Sequence, residues 1–300
     1  MTRLIAGTSN IILTQKVAKL LGLPITYCEM SQFHDKEISI VINEELDGHD
    51  VCIIQSTSSP ANDTLMELLF IADTARRANA KSITAVIPYY GYGRQDKRID
   101  SNGPISASCV AMLIEAVGID CIITVDLHSA HIEEFFGINV INLCTTKIFA
   151  ELIKAENYSN AVIVSPDAGG VMRAKKISEY LNIPLVIINK KRSKPGQCKA
   201  ESIVGDVKDK ICYIIDDIVD TAGTLCSAAD ILMANGAKEV HAYVTHGVLS
   251  TNASDLIENS VLRSLHISDS ICNSKNILSN KIRTISIAKL MAEQLKTVIA

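Results

Sequence analysis

The run Asp216-Asp-Ile-Val-Asp-Thr-Ala-Gly-Thr224 follows the apolar stretch Ile211-Cys-Tyr-Ile-Ile and precedes an apolar helical pattern. Small and hydroxylated residues at a helix opening leave backbone N–H groups unpaired. With the hydroxyls of Thr221 and Thr224 those groups could cradle a phosphate, which the helix dipole also favours. Asp220, Ala222 and Gly223 complete the loop. Two adjacent acids, Asp216 and Asp217, suit the vicinal hydroxyls of a sugar or a bound metal, and carboxylates beside an apolar strand are otherwise costly. One phosphate and one diol suggest a phosphorylated pentose. The plainer alternative is an N-cap at Asp220 or Thr221 with a solvated acidic turn. A second run, Val86-Ile-Pro-Tyr-Tyr-Gly-Tyr-Gly-Arg-Gln-Asp-Lys97, also follows a strand pattern. Its Arg94 and Gln95 offer a cation and an amide to a nucleotide phosphate and base. His128, in Asp126-Leu-His-Ser129, and Asp167, in Ser165-Pro-Asp-Ala-Gly-Gly170, stand at further strand ends. Read alone, His128 is a hydrogen-bonded imidazole and Asp167 an N-cap. The basic run Ile187-Ile-Asn-Lys-Lys-Arg192 and the turn Phe33-His-Asp-Lys-Glu37 read alone as solvated surface.

The elements that must position these residues alternate along the chain. Strand patterns fall at 3–6, 38–41, 51–55, 82–88, 121–125, 140–142, 161–165, 185–188, 211–215, 240–245 and 261–266. Helical patterns fall at 14–21, 63–78, 106–117, 147–155, 171–181, 221–234 and 288–298. Continuous apolar strands between amphipathic helices require a parallel sheet covered on both faces, so the fold class is α/β. The pattern divides near residues 143–148 into two similar halves. This gives an N-terminal domain over 1–145 and a C-terminal domain over 146–300, with the helix at 288–298 able to pack on either. In such sheets ligands bind beyond the carboxyl ends of the strands, where the runs above lie.

Composition removes other classes. Hydrophobic residues at 48% and charged residues at 21% describe a globular chain with a full core, not a disordered or fibrous one. A net charge of −4 argues against nucleic-acid and anionic-membrane partners, and the absence of Trp against base-stacking platforms. Nine cysteines form no CxxC pair, which fits buried thiols in a reducing cytosol rather than a zinc site. The opening Met1-Thr-Arg-Leu-Ile-Ala-Gly runs straight into a strand, and no long apolar stretch occurs. A soluble, cytoplasmic protein is expected.

The 216–224 run resembles the ribose-phosphate loop of type I phosphoribosyltransferases and of ribose-phosphate pyrophosphokinases, with Ala222 where Gly is frequent. The 86–97 run resembles the ATP loop of the pyrophosphokinases. Gln55-Ser-Thr, Asn62-Asp-Thr-Leu-Met-Glu-Leu-Leu69, Asp126-Leu-His-Ser129 and Thr245-His-Gly-Val-Leu-Ser250 match the same family, the last without a derivable role. The chain is similar to ribose-phosphate pyrophosphokinases over nearly its whole length. The resemblance implies two similar phosphoribosyltransferase-like domains, each a mainly parallel sheet flanked by helices. It implies transfer of the diphosphoryl group of MgATP to the 1-hydroxyl of ribose 5-phosphate, giving 5-phosphoribosyl 1-diphosphate and AMP.

Residue roles follow from the same resemblance. Asp220, Thr221, Ala222, Gly223 and Thr224 would bind the 5-phosphate, and Asp216 and Asp217 the diol. His128 and Asp167 would hold Mg2+, and Arg94 and Gln95 would bind ATP. The turn at 33–37 resembles the family's F-x-D-G-E segment, which reaches the adenine of ATP in an adjacent subunit. Asp35, Lys36 and Glu37 are therefore assigned to ATP, with Lys36 replacing the family's Gly. The 187–199 stretch resembles the flexible catalytic loop introduced by D-K-R-R. Asn189 and Lys191 depart from it, while Lys190 and Arg192 keep its cations, Arg192 also touching ribose 5-phosphate. A homo-oligomer with a shared ATP site, a dimer or a hexamer of dimers, is implied.

Two rival readings are weaker. A phosphoribosyltransferase leaves Arg94-Gln95, His128 and Lys190 without a purpose. A non-catalytic associated subunit should have lost Lys190, Arg192, His128 or Asp167, and all four stand. Many bacterial members also carry an interface anion site for ADP and phosphate. Here Leu46-Asp-Gly-His49 has an acid where a cation is usual, Ile99-Asp-Ser-Asn-Gly103 has no basic residue, and Lys296-Thr-Val-Ile-Ala300 carries no polar tail. ADP is expected to compete with ATP, and phosphate to stimulate little.

Overall fold

The computed structural model describes residues 1–98, 100–156, 158–194, 197–273 and 277–298, the side chains of 190–201 excepted. The chain forms two compact units, one of Met1–Leu143, Asp269–Cys272 and Ser286–Ala300, the other of Cys144–Ser268 and Asn273–Ile285. The first contains β1 (Thr2–Ala6), α1 (Ile11–Leu21), β2 (Ile25–Tyr27), β3 (Glu29–Gln32), β4 (Ile38–Val41), β5 (Asp50–Ile54), α2 (Ala61–Arg77), β6 (Ser82–Ile87), α3 (Ser106–Ala116), β7 (Cys121–Val125) and β8 (Asn139–Leu143). The second contains α4 (Thr146–Ala155), β9 (Ala161–Ser165), α5 (Val171–Leu181), β10 (Leu185–Lys194), β11 (Gln197–Val204), β12 (Ile211–Val219), α6 (Gly223–Ala234), β13 (Glu239–Gly247), α7 (Ala253–Glu258), β14 (Ser264–Ser268) and β15 (Ile282–Ile285). Helix α8 (Ala288–Val298) belongs to the first unit. No described helix is long and apolar enough to cross a membrane.

Among the described residues the main sheet of the first unit has the order β2-β1-β5-β6-β7-β8 and is parallel throughout. Val51, Cys52, Ile53 and Ile54 of β5 are all buried, so both faces are covered and the strand reads as an unbroken apolar run. Helices α2 and α3 bury Leu65, Leu68, Ile71, Val110 and Ile114 against Ile53, Ile83 and Ile87. Helix α1 packs on α8, with Leu13, Val17, Met291 and Leu295 fully buried. Asp269 ties this pair together. Its carbonyl accepts from Asn10 Nδ2 (2.7 Å), its Oδ2 from Lys16 Nζ (2.8 Å) and its Oδ1 from the Ile287 N–H (2.8 Å).

The second sheet runs β11-β10-β9-β12-β13-β14-β15, parallel except for the antiparallel β10–β11 pair. Helices α6 and α7 cover one face, where Leu225, Leu232 and Ile257 meet Ile214 and Val244. Helices α4 and α5 cover the other, where Phe149, Ile153 and Ile177 meet Ile163 and Tyr213. The α/β reading holds for both units.

Several elements differ from their sequence signals. The strand at 38–41 is no part of the main sheet: β3 and β4 form a separate antiparallel ribbon. Strand β12 continues four residues past the apolar run, to Val219, taking Asp216 and Asp217 with it. Helix α6 starts at Gly223 rather than 221, because Ala222 has φ 64° and cannot lie inside a right-handed helix. Strand β10 runs on through the basic segment to Lys194 and pairs with β11. Ladder hydrogen bonds join backbone groups, so a polar run on a projecting hairpin can form a strand without an apolar signature.

Candidate active site

In the second unit, β9 and β12 are parallel neighbours, so the segments leaving their carboxyl ends lie side by side. Asp167 follows β9. Its Oδ1 accepts from the N–H groups of Gly169 (2.9 Å) and Gly170 (3.0 Å), fixing the turn into α5. Asp216 and Asp217 sit on the last part of β12. Arg173, on the first turn of α5, reaches Asp217 Oδ1 at 3.1 Å and Asp216 Oδ1 at 3.8 Å. One guanidinium thus faces two carboxylates. Burial, reinforced by the neighbouring Asp217 charge, pushes the Asp216 carboxyl up to about 8, against the opposing pull of Arg173. The shift keeps a proton on the pair to higher pH than a free carboxyl would.

The sequence did not single out Arg173. A cation in the first turn of a helix opposes the dipole, and that was the available signal. Past the acids, Ala222 turns the chain in a left-handed conformation and α6 opens at Gly223. Thr221, Gly223 and Thr224 are exposed. Ala222, the N-cap residue, makes no side-chain cap to the opening of α6.

The 245–250 run finds its place here. It begins in β13, paired to β12, and beyond it the N–H groups of Val248 and Leu249 donate to the Val219 carbonyl at 2.8 and 3.2 Å. The Ser250 N–H donates to the Asp220 carbonyl at 3.1 Å, and its hydroxyl to Asp220 Oδ1. The run therefore holds the near end of the loop, so Asp220 is braced by Ser250.

In the first unit, Arg94 and Gln95 follow β6 and His128 follows β7, its parallel neighbour. Arg94 and His128 are exposed. Gln95 Oε1 accepts from Ser106 Oγ at 2.6 Å, and its carbonyl from the Ala107 N–H at 3.2 Å, so Gln95 also fixes the start of α3. Upstream, the Gly91 N–H donates to Thr57 Oγ1 at 2.6 Å, and the Thr57 N–H to the Tyr89 carbonyl at 3.0 Å. The 55–57 turn thereby clamps the 86–97 run. Gln55 is itself locked: its Nε2 donates to Glu67 Oε2 (2.7 Å) and its Oε1 accepts from Ser9 Oγ (2.6 Å). Glu67 is 2% exposed, yet Thr8 supplies both its N–H and its hydroxyl at 2.7 Å. A carboxylate so buried persists only when its oxygens are paired.

Asp35, Lys36 and Glu37 lie at the exposed tip of the β3–β4 ribbon, a sheet distinct from the one whose β6 precedes Arg94 and Gln95. The Glu37 N–H donates to Asp35 Oδ1 at 3.1 Å, and the Lys36 N–H to the Phe33 carbonyl at 3.0 Å. Lys36 has φ 78°. Like Ala222, it occupies a left-handed position at a cost of about 1 kcal/mol, and the family pattern resembled above implies Gly at both. Lys36→Gly is expected to stabilise the chain by about 0.5–1 kcal/mol in urea denaturation, less the unfolded-state entropy of Gly. Lys36→Ala is the control, with no gain expected because it keeps the strained Cβ. Equal gains in both variants would show that the cause is the removed charge.

Lys190 and Arg192 lie on the β10 extension, opposite Ala200 and Cys198 of β11, and their side chains fall outside the described residues. For magnesium, no described cluster of three His, Cys, Asp or Glu side chains stands ready. A half-buried Asp167, with Oδ1 committed to its own turn, suits an ion that takes few protein donors and fills its octahedron with water and phosphate oxygens.

With this geometry in view, the comparisons are specific. Residues 2–118 match the family model for the N-terminal domain of ribose phosphate pyrophosphokinase, and 140–271 the phosphoribosyl transferase domain. A ribose-phosphate pyrophosphokinase of Mesorhizobium japonicum is 47% identical over 97% of this chain and 94% of its own. The chain belongs to the ribose-phosphate pyrophosphokinase family. A Campylobacter jejuni pyrophosphokinase is 45% identical over 99% and 95% of the two chains. The crystal structure of phosphoribosylpyrophosphate synthetase from Mycobacterium smegmatis superposes with a TM-score of 0.94, at 35% identity, covering 99% of this chain and 98% of that one. As a pyrophosphokinase family member the chain is an enzyme, a diphosphotransferase, with two phosphoribosyltransferase-like domains.

Proposed function

We propose that the chain transfers the β,γ-diphosphoryl group of MgATP to the 1-hydroxyl of ribose 5-phosphate. The observation that carries this reading is the Arg173-bridged Asp216–Asp217 pair beside the 220–224 helix opening. The N–H groups and hydroxyls of 221–224 would hold the 5-phosphate, with Asp220 held by Ser250. The ribose 2- and 3-hydroxyls would donate to Asp216 and Asp217, and those donors favour release of the proton that burial retains on the pair.

Arg94 and Gln95 would bind ATP, and Asp35, Lys36 and Glu37 its adenine from an adjacent subunit of a homo-oligomer. Asp167 and His128 would hold magnesium, which when bound neutralises phosphate charge. Attack by the ribose 1-oxygen forms its bond to the β-phosphorus. The bond to the bridging oxygen breaks, AMP leaves with the electron pair, and the hydroxyl proton is released. The protein's work is alignment and charge stabilisation, which Lys190 and Arg192 would supply over the β- and γ-phosphates. A cytoplasmic setting without nucleic-acid or membrane partners fits the charge and hydropathy. AMP formation that requires both ATP and ribose 5-phosphate tests the reading, and ATP consumption indifferent to ribose 5-phosphate would refute it.

Asp216→Asn should separate stability from binding. The folded carboxyl, at about 8, lies above its unfolded value of 3.8, so its stabilising contribution is full below about pH 4 and is lost as pH rises through about 8. The amide cannot ionise. Its Tm is therefore expected to exceed wild type at pH 9 by about 3 °C or more, the gap closing in acid. Affinity for ribose 5-phosphate should fall at least about tenfold, the loss of a charged hydrogen bond, with MgATP affinity unchanged. Equal weakening of both ligands in calorimetric titrations refutes the assignment.

ADP is expected to act by competing with ATP. The acid at Asp47 and the absence of basic residues over 99–103 weaken any further anion site in that region by repulsion and lost pairing. Inhibition by ADP that persists at saturating ATP would contradict this.

A further inference from the structure

The 216–224 loop occupies the carboxyl edge of the second sheet. At the opposite, amino-terminal edge of β13, β14 and β15 lies a cavity of about 540 Å³, lined among others by Glu156, His241, Arg263, Ser264, Lys281 and Arg283. Three cations face one carboxylate there, in a chain whose net charge is −4, so the cluster is no sample of a generally basic surface. The carboxylate is already committed. Glu156 Oε2 accepts from the Tyr213 hydroxyl at 3.0 Å and Oε1 from the Tyr243 hydroxyl at 3.2 Å. Lys281 Nζ donates to the Ser260 carbonyl at 2.7 Å, with further N–H groups to offer. The Arg263 backbone N–H donates to the Val240 carbonyl at 2.8 Å and Arg283 lies in the β14–β15 ladder, but neither guanidinium makes a hydrogen bond or ion pair among the described residues. His241 is oriented by Ser264 Oγ, 2.8 Å from its Nδ1.

Two guanidinium forks without partners and one held ammonium, converging on a cavity of small-molecule size, form an anion receptor. Three cations over one satisfied carboxylate match a dianion better than a single negative charge. We propose that this cavity binds a phosphate-bearing small molecule through Arg263, Lys281 and Arg283, as a second anion site on the far edge of the sheet from the 216–224 loop.

The test titrates the full-length protein with inorganic phosphate, with acetate, and separately with ribose 5-phosphate, by calorimetry. The double variant Arg263→Gln, Arg283→Gln alters two exposed side chains outside the proposed catalytic machinery, and Lys281→Gln serves as an independent variant. The expected result is an inorganic-phosphate Kd raised at least tenfold in the double variant and raised also in Lys281→Gln. Ribose 5-phosphate affinity and turnover at saturating substrates should be unchanged. The proposal is overturned if the variants bind phosphate as the wild type does. It is also overturned if ribose 5-phosphate weakens in step, or if acetate binds the wild type as tightly as phosphate. Because the decisive comparison is between wild type and variant, it stands or falls apart from the assignment of the 216–224 loop.

Discussion

Lys190→Ala is expected to lower turnover by about two orders of magnitude or more, the usual loss when one preorganised charge donor is removed from a transition state. Strand β10 pairs with β9 only over Leu185–Ile187, and beyond that its partner is β11. Lys190 thus stands on a two-stranded projection past the carboxyl end of β9, the end from which Asp167 departs. In the proposed reading, that cation would meet substrate phosphates. Negative charge builds on the bridging oxygen as AMP departs, so the interaction should strengthen along the reaction, and KM for both substrates should move far less than kcat. Lys190→Arg should recover part of the rate. Steady-state kinetics near wild type for Lys190→Ala would reduce Lys190 to a solvated cation.

The second large effect is expected at Gly91. A Cβ there would stand 2.2 Å from the Thr57 carbonyl oxygen, a backbone atom with no freedom to move alone. Gly91→Ala must push the 55–57 turn and the 86–97 run apart, breaking the 2.6 Å bond from the Gly91 N–H to Thr57 Oγ1. A destabilisation of about 3 kcal/mol is expected from overpacking plus a lost buried hydrogen bond. Displacing Arg94 and Gln95 by about an ångström should reduce kcat/KM for ATP about a hundredfold. Ribose 5-phosphate binding should survive, since its proposed residues lie in the other unit. Wild-type stability in urea together with an unchanged KM for ATP would contradict the clamp.

The 216–224 run could be proposed as a site from sequence because its residue types are packed into one run and have few other uses together. Arg173 was not, lying 44 residues from Asp217 in sequence and meeting it only once α5 docks beside β12. Ser250 was hidden likewise, since its partnership with Asp220 depends on the β12–β13 pairing. The long apolar strands were read to within a few residues. Strand β2, with three residues, and the exposed β3 carry too little pattern to be seen. The departures at Lys36 and Ala222 were visible as missing glycines, but only the backbone reveals that both residues accept the left-handed angle rather than remodelling the turn.

The route of the chain through Asp269 bears on how the protein is made. The first unit needs residues 269–272, which interrupt the second unit in sequence, and α8, which follows all of it. On a ribosome, Met1–Leu143 emerges first but waits for its closing helix, with the flank of α1 that meets Met291 and Leu295 uncovered. The half translated first is therefore the half completed last. A nascent chain carries that apolar flank through most of its synthesis, the interval in which chaperone engagement and premature association compete for it.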